Sequence, residues 1–402
     1  MRTFLLLSIL LIFAGALRVA RLEFPSRMIF DEIYYAKAAN QYLARQEITE
    51  EITHPPLSKL LIALGIRLFG DRAFGWRIMS ALAGVLLVLV TYLLISEVVQ
   101  VPFAAVAGGM LLAVDGLAFV ESRIAKPDIF LALFLATSYW AFWRYLRRGR
   151  PGWLYLSGLA AGAAVATKWT GLAPLGTIPI YLAYLVGQGR WSPPHRRHWL
   201  HFIAAYTVVP AAVYLATWIP YFLLGHSAKD LAEFHQFMFR FHAGLTATHP
   251  YQSHWWSWPL LLRPIWYEFE EVQKGFYRGV LAIGNPVLWW FSLAALVYVG
   301  WEAVRRRDPG SIFIAIGFLV SYVPYAFIGR ALFLYHMLPA LPFMAMATAA
   351  VLARLRGHLG ALIPLVYLAV AVAWFVAYYP VLAALPIAVA RFYRLMWFGT
   401  WL

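Results

Sequence analysis

Two adjacent carboxylates, Asp31 and Glu32, follow closely behind the first apolar stretch of the chain. Acids beside lipid are costly unless they are solvated, paired or used. Used, such a group is a general base, because an alcohol nucleophile must lose its proton to something within hydrogen-bond reach as it attacks. Left structural, Asp31 caps the helical pattern that follows it. Other ionisable residues recur at the ends of apolar runs. His54-Pro55-Pro56-Leu57-Ser58-Lys59 opens a second helical pattern, where paired prolines act as a start signal. Lys59, one turn on, is placed to face a phosphate. Asp115-Gly116 and Glu121-Ser122-Arg123 occupy a tight turn between two apolar runs, with Asp128 just beyond it. The Arg123 guanidinium offers a planar fork to phosphate oxygens; its structural alternative is a buried ion pair. Lys168 and Arg330 hold equivalent positions between later apolar runs, at the level of a lipid head group. Lys168 would otherwise be a snorkelling side chain.

One further stretch, 241–259, gathers His242, His249, His254 and the tryptophans Trp255, Trp256 and Trp258. His242 and His249 raise the question of metal, but neither a carboxylate nor a Cys falls at a ligand-like spacing. The stretch reads either as an interfacial aromatic belt or as a platform of flat faces for a sugar or acceptor. The chain carries no Cys, which removes disulfides and thiolate metal sites. It has no phosphate-cradling glycine loop, no dinucleotide fingerprint and no HExxH, so a nucleotide-driven enzyme or pump is not expected. Charge is not spread through the centres of the apolar runs, as an ion-coupled path requires.

The elements that must hold these residues are membrane helices. Of 402 residues, 62% are hydrophobic and 13% charged, far from the composition of a soluble domain. Runs long enough to cross a bilayer recur at roughly 4–20, 75–97, 101–119, 127–146, 153–167, 170–187, 200–224, 286–304, 311–328, 332–352 and 360–380. The fold class expected is an all-α integral membrane bundle of about eleven spans. Four short Arg-rich loops interrupt it, at Arg144/147/148/150, Arg190/196/197, Arg305/306/307 and Arg354/356. Eleven spans place all four on one side, which the positive-inside rule makes cytoplasmic. That rule also explains the formal charge of +15 without nucleic acid. Residues 1–20 are expected to stay as an anchor rather than leave as a signal peptide. Two large loops then lie outside: 21–74, with amphipathic helices near 32–46 and 56–69, and 225–285. The apolar end, 381–402, is expected to lie on the membrane surface or to re-enter it.

Taken together, Phe30-Asp31-Glu32, the run from His54 to Lys59, DGLAFVESRIAKPDIFL at 115–131, ATKWTG at 166–171, QFMFRFHAGLTATHPYQSHWWSWPLLLRPIWY at 236–267, GNPVLWW at 284–290 and RALFLYHMLPALPF at 330–343 resemble the bacterial branch of the protein O-mannosyltransferases. These are membrane glycosyltransferases of the GT-C fold. The resemblance spans nearly the whole chain, and its most specific part is 236–267. Departures are Ser58 for a usual Gly, Glu121 for a usual Gln, and Lys126-Pro127 for a usual apolar pair. The resemblance implies one GT-C transmembrane domain over 1–402 without the MIR domain of eukaryotic members. It implies inverting transfer of mannose from a polyprenyl-phosphate donor to Ser or Thr hydroxyls of secreted polypeptides, with Asp31 at the position of the catalytic carboxylate.

On that reading Asp31 is the base, and Glu32 beside it positions the acceptor or orders the loop. Arg123, Lys168 and Arg330 bind the donor phosphate. His54, Lys59, His249, Trp255 and Trp256 belong to the acceptor or sugar side. No cofactor or metal is required, because the cations are already on the chain. The multi-pass protein is expected in a bacterial plasma membrane with its active site on the extracytoplasmic face. Two alternatives are an enzyme of the same fold with a lipid or glycan acceptor, and a flippase for lipid-linked sugars, which would carry polar residues through its span centres.

Overall fold

A computed structural model describes residues 2–402. The chain is a helix bundle with one small sheet at the end that carries the site. α1 (Arg2–Val19) enters the bundle and leads to two shorter helices, α2 (Glu32–Ala44) and α3 (Leu57–Phe69), before α4 (Ala73–Val98) returns. The first loop therefore holds the two helices expected there. α5 (Pro102–Ala113) and α7 (Asp128–Arg148) flank a short α6 (Gly116–Glu121). α8 (Pro151–Thr167), α9 (Ala173–Gly187), α10 (His198–Tyr206), α11 (Val208–Thr217) and α12 (Ile219–Leu223) follow, and α13 (Ala228–Gly244) lies in the second loop. Beyond the strands β1 (Ile265–Gln273) and β2 (Phe276–Ala282) come α14 (Pro286–Arg306), α15 (Pro309–Tyr322), α16 (Leu341–Leu359) and α17 (Leu362–Leu382). β3 (Ile387–Ala388) and α18 (Val389–Leu395) end the chain.

Local signals explain many boundaries. Proline at the first helical position, where no amide hydrogen is needed, starts α5, α8, α14 and α15. Gly158 and Gly162, one turn apart on α8, face the backbones of α10 and α11. A Cβ on Gly158 would stand 1.9 Å from the Ala205 carbonyl oxygen, and one on Gly162 would stand 2.7 Å from the Pro210 Cα. Small residues let helices approach this closely in a bilayer.

Among the described residues, eight helical segments are long and apolar enough to cross a membrane, against the eleven spans expected. Two shorter apolar helices, Phe4–Val19 and Pro102–Ala113, stand where the first and third spans were placed. The third was expected to reach 119. It stops at Ala113 because Asp115 starts a new helix: its Oδ1 accepts the Ala118 amide at 2.9 Å, while Oδ2 accepts the Asn285 amide and the Trp289 indole N–H at 2.9 and 2.8 Å. The Arg-rich loops meet at one end of the bundle. Arg144 reaches Glu97 at 2.5 Å, Arg354 reaches Glu302 at 2.5 Å, and Arg190 donates to the Arg307 carbonyl.

The sheet was not foreseen. β1 and β2 pair antiparallel and β3 adds to β2, in the order β1-β2-β3. Gly275 takes a φ of 84° at the hairpin turn, a conformation favoured by glycine. Between Trp266 and Glu268 the register shifts, so Tyr267 sits on a bulge. A bulge re-aims a side chain, and this one turns Tyr267 into the site. In the final segment β3 docks on the hairpin, and Trp401 is fully buried, its indole N–H on the Leu261 carbonyl at 2.6 Å, while Trp397 and Phe398 stay exposed.

Candidate active site

At the end of the bundle opposite the Arg-rich loops, ionisable groups from six segments converge. Asp31 precedes α2 in the position of an N-cap, yet its side chain makes no capping bond. Phe30 before it holds φ at 49°, a left-handed conformation costly for a residue with a Cβ and often found where strain serves function. The Phe30 ring stacks on Tyr267, with centroids 4.3 Å apart. The half-buried Asp31 carboxyl has no hydrogen-bond or ion-pair partner among the described residues. Burial raises its pKa to about 6 despite the pull of Lys126 and Lys168, with Asp128 and Glu51 adding to the rise.

Beside it stands a buried charge network. The Lys126 ammonium lies 3.2 Å from Glu121, 3.2 Å from Asp128 and 3.1 Å from the Tyr267 hydroxyl. The Lys168 ammonium lies 3.0 Å from the other Asp128 oxygen. Tyr267 donates a short hydrogen bond to Glu121. Burial lifts the Glu121 carboxyl to about 7, against the pull of Lys126. Burial alone would depress the Lys126 ammonium, but Asp128, Glu121 and Asp31 together raise it.

A second group rims the site. His54 Nδ1 lies within 3.0 Å of Glu51 and 3.1 Å of the Tyr35 hydroxyl. Burial lowers the His54 pKa although Glu51 opposes this. His242 packs edge-on to His54 with centroids 5.0 Å apart. Its Nε2 donates to the Thr53 carbonyl at 2.8 Å, which leaves Nδ1 a buried acceptor without a partner. Burial first, then His54 and Arg330, lower its pKa to about 4.

Arg330 is half-buried and, alone among the cations around the site in the described residues, has no carboxylate or carbonyl partner. It lines a cavity of about 520 Å³ between residues 245–256 and 326–332, with Trp255 and Trp256 on the opposite wall. The Ser253 amide donates to the Leu332 carbonyl at 2.8 Å and ties the two walls together. A second, apolar cleft of about 180 Å³ shares Ile328 with the cavity and is lined by Trp169 and Thr170, directly after Lys168. Charged head-group chemistry and an apolar slot between helices thus adjoin.

The structure corrects three expectations. Arg123 is not free to clamp a phosphate: its two terminal nitrogens donate to the carbonyls of Leu17, Arg18, Ala20 and Arg21 at 3.2, 2.8, 2.7 and 3.0 Å. It caps the end of α1, where orphan carbonyls need donors. Burial lowers its pKa to about 10. Lys59 likewise spends all three donors, on the Glu51 carbonyl and carboxylate at 2.6 and 2.9 Å and on the His54 carbonyl at 2.7 Å. Glu32 is fully buried, forked to Arg77 by two bonds of 2.7 Å, and it accepts the Ile29 and Ala125 amides at 3.1 and 3.0 Å. Of the two roles considered for Glu32, ordering the loop is the one its geometry allows. His249 turns Nδ1 to the Tyr251 amide at 3.1 Å and packs on Phe333, one residue past the cavity wall at Thr248. Trp256 stacks on His254 with its face half exposed.

Lys126, Tyr267 and Tyr335 were missed as site residues. Lys126 carried a signal, a lysine two positions before an acid at the mouth of a span. Tyr267 and Tyr335 carried none, because only the bulge and the Leu334–Ala340 turn aim them inward.

Residues 227–401 match the family described as the C-terminal four TMM region of protein-O-mannosyltransferase. Residues 53–221 and 8–73 match two families, each described as dolichyl-phosphate-mannose-protein mannosyltransferase. The chain is 29% identical to a polyprenol-phosphate-mannose–protein mannosyltransferase of Mycobacterium tuberculosis, over 93% of this chain and 86% of that protein. It is 24% identical to the enzyme of that name from Corynebacterium glutamicum, over 87% and 81%. Among solved structures, the S. cerevisiae protein O-mannosyltransferase Pmt1-Pmt2 complex bound to the sugar donor gives a TM-score of 0.88 at 16% identity, over 100% of this chain and 92% of that one. ArnT of Cupriavidus metallidurans bound to undecaprenyl phosphate gives 0.64 at 18% identity, over 94% and 64%.

Proposed function

The chain belongs to the protein O-mannosyltransferase family, and from that premise we propose that it moves mannose from a polyprenyl-phosphate carrier to a Ser or Thr hydroxyl of a polypeptide. The observation that carries the assignment of roles is the pairing pattern. Around the site, the Asp31 carboxylate and the Arg330 guanidinium are the charges left without partners, while Glu32, Lys59 and Arg123 are bound into the scaffold.

The acceptor oxygen attacks the anomeric carbon from the side opposite the phosphate. Its proton passes to Asp31, and the bond from the anomeric carbon to the phosphate oxygen breaks. A carboxyl titrating near 6 is ionised at neutral pH yet basic enough to accept that proton. The leaving phosphate gains charge as it departs, and Lys168 and Arg330 are the cations placed to meet it. Fixed charges aimed at a developing charge are often the largest catalytic contribution, with one donor worth about 3 kcal/mol. The apolar cleft beside Trp169 takes the first units of the prenyl chain, so the donor stays in the bilayer. The 520 Å³ cavity, walled by Trp255, Trp256 and Arg330, takes the acceptor. Because the Arg-rich loops mark the opposite end, this site faces away from the cytoplasm, in a plasma membrane on this reading. No metal enters the proposal.

The test is reconstitution. Purified protein supplied with polyprenyl-phosphate-mannose and a Ser/Thr peptide should yield mannosylated peptide, identified by mass spectrometry. Mannose found only on lipid or glycan, or donor that crosses the bilayer unchanged, would overturn the proposal.

A further inference from the structure

One buried charge has no part in the scheme above. The Lys126 ammonium is fully buried and sits in a cage of three aromatic rings: 3.4 Å from the centroid of Tyr335, 5.1 Å from Tyr267 and 5.6 Å from Phe30. Its hydrogen bonds go to Glu121, Asp128 and the Tyr267 hydroxyl. Each contact bears on Asp31. Phe30 is the residue before it and holds the strained φ of 49°. Tyr267 stacks on Phe30 at 4.3 Å. Asp128 is shared between Lys126 and Lys168 at 3.2 and 3.0 Å, so the ammonium groups on either side of it are fixed relative to one another. A cation among aromatic faces is held both by their π charge and by excluded water. Lys126 would also be an expensive way to fill space, since a buried charge is tolerated only when paired and hydrogen-bonded.

We propose that Lys126 is a positioning residue for the transfer reaction: caged by Phe30, Tyr267 and Tyr335, it pins the Phe30–Asp31 turn and supplies the fixed positive charge beside which Asp31 works. The inference rests on Asp31 being the base. Lys126 does not touch substrate; it acts through Asp31 and its neighbours. The groups that face Asp31 are Lys126, Asp128, Lys168 and Glu51, and those that face Lys126 are Glu121, Asp128, Asp31 and the Tyr267 hydroxyl. Tyr335 closes the cage, and Arg330 and His336 stand behind it. Of the groups facing Asp31, Lys126 and Lys168 are the cations. Lys168 is needed for phosphate, so Lys126 is the one that can be dedicated to the carboxylate.

The experiment compares Lys126→Met, Lys126→Gln and Lys126→Arg in the 402-residue protein with the peptide assay, reading kcat, donor KM and the acidic limb of the pH–rate profile. Loss of the cation should move that limb upward by about one pH unit, as removal of a nearby opposite charge does, and cut kcat at pH 6 at least tenfold. Donor KM should change less than threefold, because Lys168 and Arg330 remain. Lys126→Arg should restore the limb to within a few tenths of a unit. Lys126→Gln, which keeps a hydrogen-bonding side chain among Glu121, Asp128 and the Tyr267 hydroxyl but carries no charge, should move the limb upward as Lys126→Met does. A uniform loss of kcat with an unmoved limb, or a Met variant that matches wild type, would overturn the inference. If Lys126→Met does not accumulate, the upward shift in Lys126→Gln still decides: an unmoved limb there also overturns it. Asp31→Asn separates this inference from the reading beneath it. Turnover by that variant would remove Asp31 as the base, whereas a dead Asp31→Asn beside an unaltered Lys126→Met removes only the role given to Lys126.

Discussion

Asp31 and Glu32 are neighbours in sequence, and the structure gives them opposite relations to stability. Asp31→Asn removes a carboxylate whose pKa is raised from 3.8 to about 6, by burial first and by Asp128 and Glu51 after the offset from Lys126 and Lys168. A raised carboxylate binds its proton more tightly in the folded state. Below about pH 4 it is neutral in both states and contributes nothing. As pH rises from 4 to 6 the unfolded state ionises first, so the wild type loses stability across that window and the deficit persists above it. Roughly two units correspond to about 3 kcal/mol as a ceiling. Asp31→Asn should therefore be more stable than wild type above pH 6, by about 1–3 kcal/mol, and equal to it near pH 4. Its turnover should fall by about 10²–10⁴-fold, the usual worth of a general base. Glu32→Gln should do the reverse. It leaves the Arg77 guanidinium buried beside a neutral amide in place of two bonds of 2.7 Å, and breaking a buried pair costs about 3–5 kcal/mol. Intrinsic tryptophan fluorescence in detergent, followed through unfolding at pH 4 and pH 7, reads both. An Asp31→Asn protein that turns over normally, or that is less stable than wild type at pH 7, would refute the placement of Asp31 as a strained, unpaired base. A Glu32→Gln protein of unchanged stability that has lost activity would return Glu32 to the chemistry.

Arg123→Met should lose stability by several kcal/mol, since four carbonyls at the end of α1 lose a charged donor; protein that does fold should bind polyprenyl phosphate normally, and a selective loss of lipid affinity would restore the clamp. Arg330→Ala should fold as wild type, because no carbonyl or carboxylate depends on it, while turnover falls about 10²-fold in line with loss of one charge-stabilising donor; an unstable protein with normal kcat would contradict this. Turnover in the presence of excess EDTA should equal that without it, and recovery of a lost activity on adding back a divalent ion would show that the chain's own cations do not suffice.

The bundle was legible because a span announces itself by length and apolarity, and the four Arg clusters fixed which ends lie together. The first-loop helices at 32–44 and 57–69 followed from apolar spacing and from Pro55-Pro56. The hairpin was not legible. Ile265–Gln273 alternates only partly, because its first four residues are all buried, and the Lys274-Gly275 turn lay hidden within a loop read for its histidines and tryptophans. At Asp115-Gly116 a turn was legible but the short helix was not: the apolar run continues through Leu117, Ala118 and Phe119, and only the tertiary bonds from Asn285 and Trp289 to the Asp115 carboxylate show why a new helix starts there.

Within the site, position along the bundle separated functional from structural charges poorly. Asp31, Glu32, Lys59, Arg123, Lys168 and Arg330 all fall at the outer end, because a charge is least costly there whatever it does. What separates them is whether their hydrogen-bonding capacity is exhausted. Arg123, Lys59 and Glu32 direct theirs to carbonyls, to a carboxylate, to a guanidinium and to amides already present, so a substrate would have to break the fold to reach them. Lys168 is intermediate: one contact, to Asp128 at 3.0 Å, leaves two of its three donors open. Asp31 and Arg330 hold no such bonds. A charge kept near lipid without a partner raises the free energy of the folded state, and it persists where something else supplies the partner. On the function proposed above, that partner is the leaving phosphate for Arg330 and a hydroxyl proton for Asp31. The two demands have opposite sign, and a phosphate-borne sugar meeting an alcohol satisfies both at once.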